Sequence, residues 1–281
     1  MMFFNKKYHA RWCIYKIFGI KFKIKTKYCK LNTVNLLMDE NYGIGNRIFA
    51  IVNAARFYAP DCINVYWAKE GWVTETMGSL FCFNGNLNVV EYNSKEEMNL
   101  RNSKTERTVE FPQASLIDEN GKERTLSKGN VTDETYALYK NIFKNIMPSD
   151  MVLNRIKDVV LPDYFVALQI RNSRDWDDYG RNESLDLFIE KINTYPKDAV
   201  FYISTMEQSV SDYIKNNTGY RFLELPNKDY HSMCDALADL FIMAKANEGI
   251  YSYGSTFGEM AWWFADKQQK YTMVGTDRNW K

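Results

Sequence analysis

The stretch VALQIRNSRDW, Val166 to Trp176, decides the fold. Behind Pro162, the residues Tyr164 to Ile170 form a short apolar run of strand formers, the pattern of a buried strand in a parallel sheet. The run stops abruptly at Arg171-Asn172-Ser173-Arg174-Asp175. Open α/β sheets bind ligands outside the carboxyl ends of their strands. An arginine at such an exit is placed to grip a phosphate, because its planar fork offers two parallel charged hydrogen bonds. The same residues also read as a surface loop whose arginines pair with nearby carboxylates.

From that strand to the C-terminus the pattern alternates regularly. Strands are predicted at 164–170, 199–204, 220–225, 249–253 and 270–274, and helices at 184–194, 207–216, 232–246 and 257–266. Helices of that length between apolar strands predict a mostly parallel, doubly wound sheet. A second strand exit, Tyr251-Ser252-Tyr253-Gly254-Ser255-Thr256-Phe257, runs into a helix. Hydroxyls and free backbone N–H groups at a helix start form an anion site, and either Ser255 or Thr256 also reads as a plain helix cap.

The N-terminal half begins in the same way. Thr33 to Met38 is a short strand, Gly43-Ile44-Gly45-Asn46-Arg47 a glycine turn, and Arg47 to Tyr58 a helix ended by Pro60. Strand, glycine turn and helix open a nucleotide-type α/β unit, although one GxG is weak evidence. Further strands are expected at Ile63–Ala68 and Leu87–Tyr92, and residues 93–130 are polar and read as loops. Helices follow at Thr132 to Ile146 and, capped by Ser149, at Asp150 to Val159. The expected division is a leader 1–30, an N-terminal α/β domain 31–155 and a C-terminal Rossmann-like domain 156–281.

Composition bounds the function. Hydrophobic residues make up 46% and charged residues 25% of 281, ordinary for a folded protein. The odd, scattered set Cys13, Cys29, Cys62, Cys82 and Cys234 matches neither a disulfide framework nor a zinc pattern. Only His9 and His231 supply imidazole, which excludes a histidine-rich metal site. Sequons at Asn130, Asn182 and Asn216 carry no weight without a secretory signal. His231 precedes Ser232, which with Asp235 reads as a helix cap.

The net charge of +1 conceals an asymmetry: residues 1–30 carry nine Lys or Arg and no acid, leaving 27 basic against 35 acidic residues beyond them. The leader is also rich in aromatic and branched residues, among them Phe3, Phe4, Trp12, Phe18 and Phe22. Its lysines recur too often for a membrane-spanning helix. A basic, aromatic segment suits an anionic membrane surface, at roughly 1 kcal/mol per basic group. The period-two alternation of Ile20 to Lys27 reads equally as an edge strand showing lysines to water. A phosphate backbone would be repelled by the acidic body, so no nucleic-acid partner is expected.

Taken in order, GIGNR (Gly43 to Arg47), QIRNSRDW (Gln169 to Trp176), YIST (Tyr202 to Thr205) and the run from Ala236 to Ala261 resemble the fucosyltransferase superfamily. Its α1,2-, α1,6- and protein O-fucosyltransferases share the GT-B architecture of two Rossmann-like domains facing a cleft. The resemblance covers about residues 33 to 275 through short islands. It implies an inverting, metal-independent transfer of fucose from GDP-fucose to a glycan acceptor, without cofactor. Arg171 is similar to the arginine that clamps the donor diphosphate. Ser255, Thr256 and Phe257 fall where relatives hold the same phosphates, and Gly43, Gly45, Asn46 and Arg47 match the glycine loop facing the cleft. Asp239 matches an aspartate expected to be structural. Gln169 stands where the motif has histidine, Asn172 where one version has a second arginine, and Met206 where relatives read guanine, with Glu207 as a substitute acceptor. A carboxylate from Asp175, Asp177, Asp178 or Glu183 would take the acceptor's proton, Asp175 being favoured for its Asp-Trp pair. Asp175-Trp176-Asp177 also spells the DxD of the other, metal-dependent architecture, which the arginine and the two-half layout oppose. Of Trp262-Trp263, one ring is expected in the core and the other over the cleft. The implied setting is surface-polysaccharide assembly, with a lipid-linked or other glycan acceptor, on the inner face of a cytoplasmic membrane. A transferase of another nucleotide sugar and a non-catalytic, membrane-attached binding protein stay open.

Overall fold

The structure is a computed structural model that describes residues 5–9, 12–17, 20–25, 32–38, 42–69, 73–101, 107–109, 115–118, 120–172 and 184–275. In chain order the elements are β1 (Asn5–His9), β2 (Trp12–Ile17), β3 (Ile20–Lys25), β4 (Thr33–Met38), α1 (Ile44–Tyr58), β5 (Cys62–Trp67), α2 (Met77–Leu80), β6 (Phe81–Phe83), β7 (Val89–Tyr92), α3 (Lys95–Arg101), β8 (Arg107–Val109), α4 (Asp133–Phe143) and β9 (Ile146–Pro148). They continue with α5 (Asp150–Ile156), β10 (Val166–Ile170), α6 (Leu185–Ile192), β11 (Val200–Thr205), α7 (Gln208–Thr218), β12 (Arg221–Leu223), α8 (Met233–Met243), β13 (Glu248–Ser252), α9 (Thr256–Phe264) and β14 (Lys270–Val274). The chain forms two compact units: Met1–Met77 with Cys82–Thr125 and Val131–Met147, and Gly78–Phe81 with Leu126–Asn130 and Pro148–Lys281.

In the first unit β7-β5-β4-β8 is a parallel sheet whose first strand in sequence, β4, lies inside it. The chain winds outward through β5 to β7 and then crosses to the far side of β4 to add β8. The apolar residues Val34, Leu36 and Met38 of β4 and Ile48, Ile51 and Val52 of α1 are buried, as strand and helix periods require. The leader contributes β1-β2-β3, an antiparallel meander in register from Asn5 opposite Lys16 to Ile17 opposite Ile20. Residues 93–130, read from sequence as loops, contain α3, β8 and a bridge between Ile117 and Glu123. Their elements are short and charged, so no apolar period announces them.

The second unit is a five-stranded, all-parallel sheet ordered β12-β11-β10-β13-β14. Every residue of β10 is buried, as expected of a central strand covered on both faces. Val166, Leu168 and Ile170 share a core with Phe188 and Ile192 of α6, Phe201 and Ile203 of β11, and Val210 and Ile214 of α7. Winding one way from β10 through β11 to β12 and then the other way through β13 to β14 places a topological switch point between β10 and β13. The predicted order of strands and helices holds throughout this unit, with ends shifted by a few residues.

Helix α5 belongs to this second unit, whose last segment begins at Pro148. Its Arg155 forks onto Asp235 of α8 at 2.5 and 2.9 Å and also donates to the Pro226 carbonyl at 3.1 Å. Burial alone would raise the Asp235 carboxyl, but Arg155 and the Asp229 N–H outweigh it and hold it below the ordinary carboxylate range. Among the described residues no helix is long and apolar enough to cross a membrane.

Candidate functional site

The carboxyl ends of β10 and β13 are stitched together by one serine. Ser252 Oγ accepts the Arg171 N–H at 2.7 Å and donates to the Gln169 carbonyl at 3.4 Å, while the Ser252 N–H reaches Gln169 Oε1 at 3.4 Å. Arg171 and Asn172 leave the sheet half-buried from that stitch. Gln169 itself is only 5% exposed and lies under the first turn of α9: a Cβ added at Gly258 would come within 2.7 Å of its Oε1. The histidine-to-glutamine departure therefore places a neutral amide, not a titrating ring, beneath the helix start.

Backbone donors at that start can be followed one by one. The Tyr253 N–H goes to the Val274 carbonyl at 2.8 Å, Gly254 N–H to Ser127 Oγ at 2.7 Å, and Ser255 N–H to the Ser252 carbonyl at 3.1 Å. Ser255 Oγ caps the helix by accepting the Gly258 N–H at 3.3 Å, and the Ser255 carbonyl takes the Glu259 N–H at 3.0 Å. The N–H groups of Thr256 and Phe257, in the first turn, have no intrahelical acceptor. Both residues are half-buried. Two such donors on the positive end of a nine-residue helix make a site for an anion. The 2% exposed Ser255 is a helix cap, its hydroxyl turned onto the Gly258 N–H.

One strand further over, β11 ends at Thr205, whose Oγ1 donates to the Glu207 carbonyl at 2.8 Å. Glu207 occupies the N-cap position of α7 without capping it, and its Oε2 accepts from Ser209 at 3.3 Å. Beneath this end Asp239 is fully buried and accepts from Tyr202 at 2.6 Å, Ser204 at 2.8 Å and Lys228 at 2.7 Å. Burial pushes the Asp239 carboxyl up, opposed by Lys228 and the two hydroxyls. Burial and Asp239 together push the Tyr202 phenol up. Lys228 also donates to the Thr205 carbonyl at 2.9 Å, so a buried ion pair fixes the strand end. The YIST stretch thus has a structural core, completed by Lys228, which lies outside every motif of the sequence.

The structure therefore gathers Gln169, Arg171, Ser255, Thr256 and Phe257 at one switch point, with Glu207 on the adjacent strand end. Asp175, Asp177, Asp178 and Glu183 lie outside the described residues. The glycine-loop residues belong to the other unit. There Gly43 takes the N-cap of α1 with φ −63°, starting the helix at Ile44, and Gly45 is buried while Asn46 is half-buried. Arg47 corrects the expectation that it faces a cleft. It is 0% exposed, donates to the carbonyls of Tyr42 at 2.7 Å and Ala68 at 2.6 Å, and lies 4.7 Å from the centroid of Trp67. Trp262 and Trp263 are likewise both buried, the first donating to the Gln269 carbonyl at 2.9 Å and the second to Glu259 at 3.3 Å, so neither ring covers an opening. His231 is exposed ahead of the α8 cap, where Ser232 Oγ accepts the Asp235 N–H at 3.3 Å. Among the described residues no three His, Cys, Asp or Glu side chains cluster as metal ligands would.

Neither a protein-family model nor a curated protein sequence matches the chain. Solved structures do. NodZ, an alpha-1,6-fucosyltransferase from Bradyrhizobium soaked with GDP-fucose, aligns with a TM-score of 0.53 at 13% identity, over 84% of this chain and 93% of its own. A mutant of Arabidopsis thaliana FUT1 in complex with GDP aligns with a TM-score of 0.56 at 13% identity, over 89% and 71%. POFUT1 in complex with GDP aligns with a TM-score of 0.51 at 12% identity, over 88% and 99%. The chain shares the GT-B-like fold of these solved fucosyltransferase structures.

Proposed function

We propose that the protein is a glycosyltransferase that transfers fucose from GDP-fucose to a glycan, with inversion and without a metal ion. The reading rests chiefly on one observation: an arginine and two unspent helix-start amides share the switch point of a parallel sheet. The fold likeness adds weight, since the solved neighbours carry GDP or GDP-fucose. As the sugar–oxygen bond breaks, negative charge grows on the departing diphosphate. Preorganised donors aimed at that charge lower the barrier, and losing one typically costs about 10²–10³ in rate. Arg171 and the N–H groups of Thr256 and Phe257 take this role. Glu207 is assigned to the N–H edge of the nucleobase, in place of the acid that Met206 displaces. A carboxylate of the segment 175–183, Asp175 first, is assigned as general base for the acceptor hydroxyl.

The acceptor is assigned to the first unit, and the basic, aromatic leader to an anionic membrane surface on the cytoplasmic side, where lipid-linked glycans are assembled. The experiment is donor turnover with a panel of nucleotide sugars, in the presence and absence of EDTA. The expected result is turnover of GDP-fucose that survives EDTA and falls at least a hundredfold in Arg171→Ala. Turnover of a UDP- or CMP-sugar instead would discard fucose while keeping transfer. For the leader, flotation with anionic liposomes should be lost when residues 1–30 are deleted, and undiminished flotation refutes the anchor.

A further inference from the structure

The segment Leu126–Asn130 belongs to the second unit, while the chain before and after it, Cys82–Thr125 and Val131–Met147, belongs to the first. It is a tight turn closed by the Gly129 N–H on the Leu126 carbonyl at 2.9 Å, with Gly129 at φ +57° and Leu126 buried. Among what it brings to the second unit is a hydroxyl: Ser127 Oγ accepts the Gly254 N–H at 2.7 Å, across 127 positions of sequence. Gly254 stands at φ +68°, and a Cβ there would meet nothing within 4 Å. The glycine thus answers a backbone angle and not crowding, and that angle turns the chain from β13 into α9.

We propose that Ser127 is a positioning residue of the anion site. By holding Gly254 in its left-handed turn, it sets the direction in which the Thr256 and Phe257 N–H groups point. The inference rests on the reading of that helix start as a diphosphate site and adds a residue outside the donor-binding sheet.

The test titrates GDP into the full chain by calorimetry. Ser127→Ala is expected to weaken GDP about tenfold with an unchanged melting temperature, and Ser127→Thr, which keeps the acceptor oxygen, to stay within about twofold of wild type. The Gly254 amide resonance should move in Ser127→Ala and stay in Ser127→Thr. If Ser127→Ala binds as wild type does, or if loss of affinity only follows loss of melting temperature, the proposal is overturned and the donor site stands. If wild type binds no nucleoside diphosphate, the proposed function falls, and the inference with it. Should Ser127→Ala fail to fold, Ser127→Cys, with a weaker acceptor of similar shape, is read in the same way.

Discussion

Arg47 and Arg171 both come after the first strand of their unit's parallel sheet. Arg47 sits in the first turn of α1 beyond β4 and reaches the end of β5, whereas Arg171 directly follows β10, beside the switch point between β10 and β13. The outcomes are opposite. Arg47 is sealed in, its guanidinium on Trp67 and on two carbonyls of its own unit's loops. Arg171 stays half-buried, its backbone stitched to Ser252 and its neighbours a helix start with unspent amides. One arginine is used to hold loops together, and the other stays half-buried at the strand exit to which the donor phosphates are assigned. What separates them is what the neighbouring elements offer: a tryptophan and carbonyl acceptors in one unit, N–H donors in the other.

The comparison can be broken at its stability end first. Arg47→Ala removes a buried cation packed on an aromatic ring and leaves two carbonyls without their donor, which should cost about 3–5 kcal/mol. Thermal unfolding should drop by about 10 °C for a chain of this size. An Arg47→Ala protein with wild-type melting would remove the structural role assigned to that residue. Arg171→Ala should show the reverse profile: melting nearly unchanged, and donor turnover down by about 10²–10³, or about 2.7–4 kcal/mol. Arg47→Lys gives a sharper, smaller contrast. It keeps the charge but not the planar fork over Trp67, so a loss of about 1–2 kcal/mol is expected, and full stability in this variant would mean that charge alone matters.

The smallest effect is acid sensitivity, and each unit carries one instance. In the first, burial of Asp118 works against its hydrogen bonds from the Lys122 N–H, Arg124 and the Asn120 N–H, which win and lower its pKa; in the second, Asp235 is lowered by Arg155. With the folded pKa below the ordinary 3.8, the unfolded chain binds more protons. The stabilisation is therefore complete above about pH 4 and fades as pH falls through the folded values, by about 1 kcal/mol or less for each such pair. Denaturant midpoints at pH 7 and pH 3 should differ less in Asp118→Asn and Asp235→Asn than in wild type. Equal pH dependence in wild type and variants would show that these carboxyls are not perturbed.

Much of the second unit was legible because its strands are continuous apolar runs and its helices begin at recognisable N-caps, Ser232 and Ser255 among them. The polar stretch 93–130 was not, because α3 opens with Glu96 and Glu97 and β8 has only three residues. Of the site, the strand exits were readable, since an abrupt change from apolar to charged residues marks where a strand leaves a sheet. The direction taken by each side chain was not. Nothing local turns Arg47 onto Trp67 and the Ala68 carbonyl, and nothing local ties Ser127 to Gly254. Those partners meet only through the crossovers of the folded sheet, and sequence patterns of period two or 3.6 do not carry that information.

The most direct test of the two-arginine account is calorimetric titration of GDP into wild type, Arg171→Ala and a folded Arg47→Lys, with melting temperatures measured on the same samples. The account predicts that wild type and Arg47→Lys bind GDP alike, while Arg171→Ala loses at least tenfold in affinity without losing stability. Equal GDP binding by wild type and Arg171→Ala would contradict it.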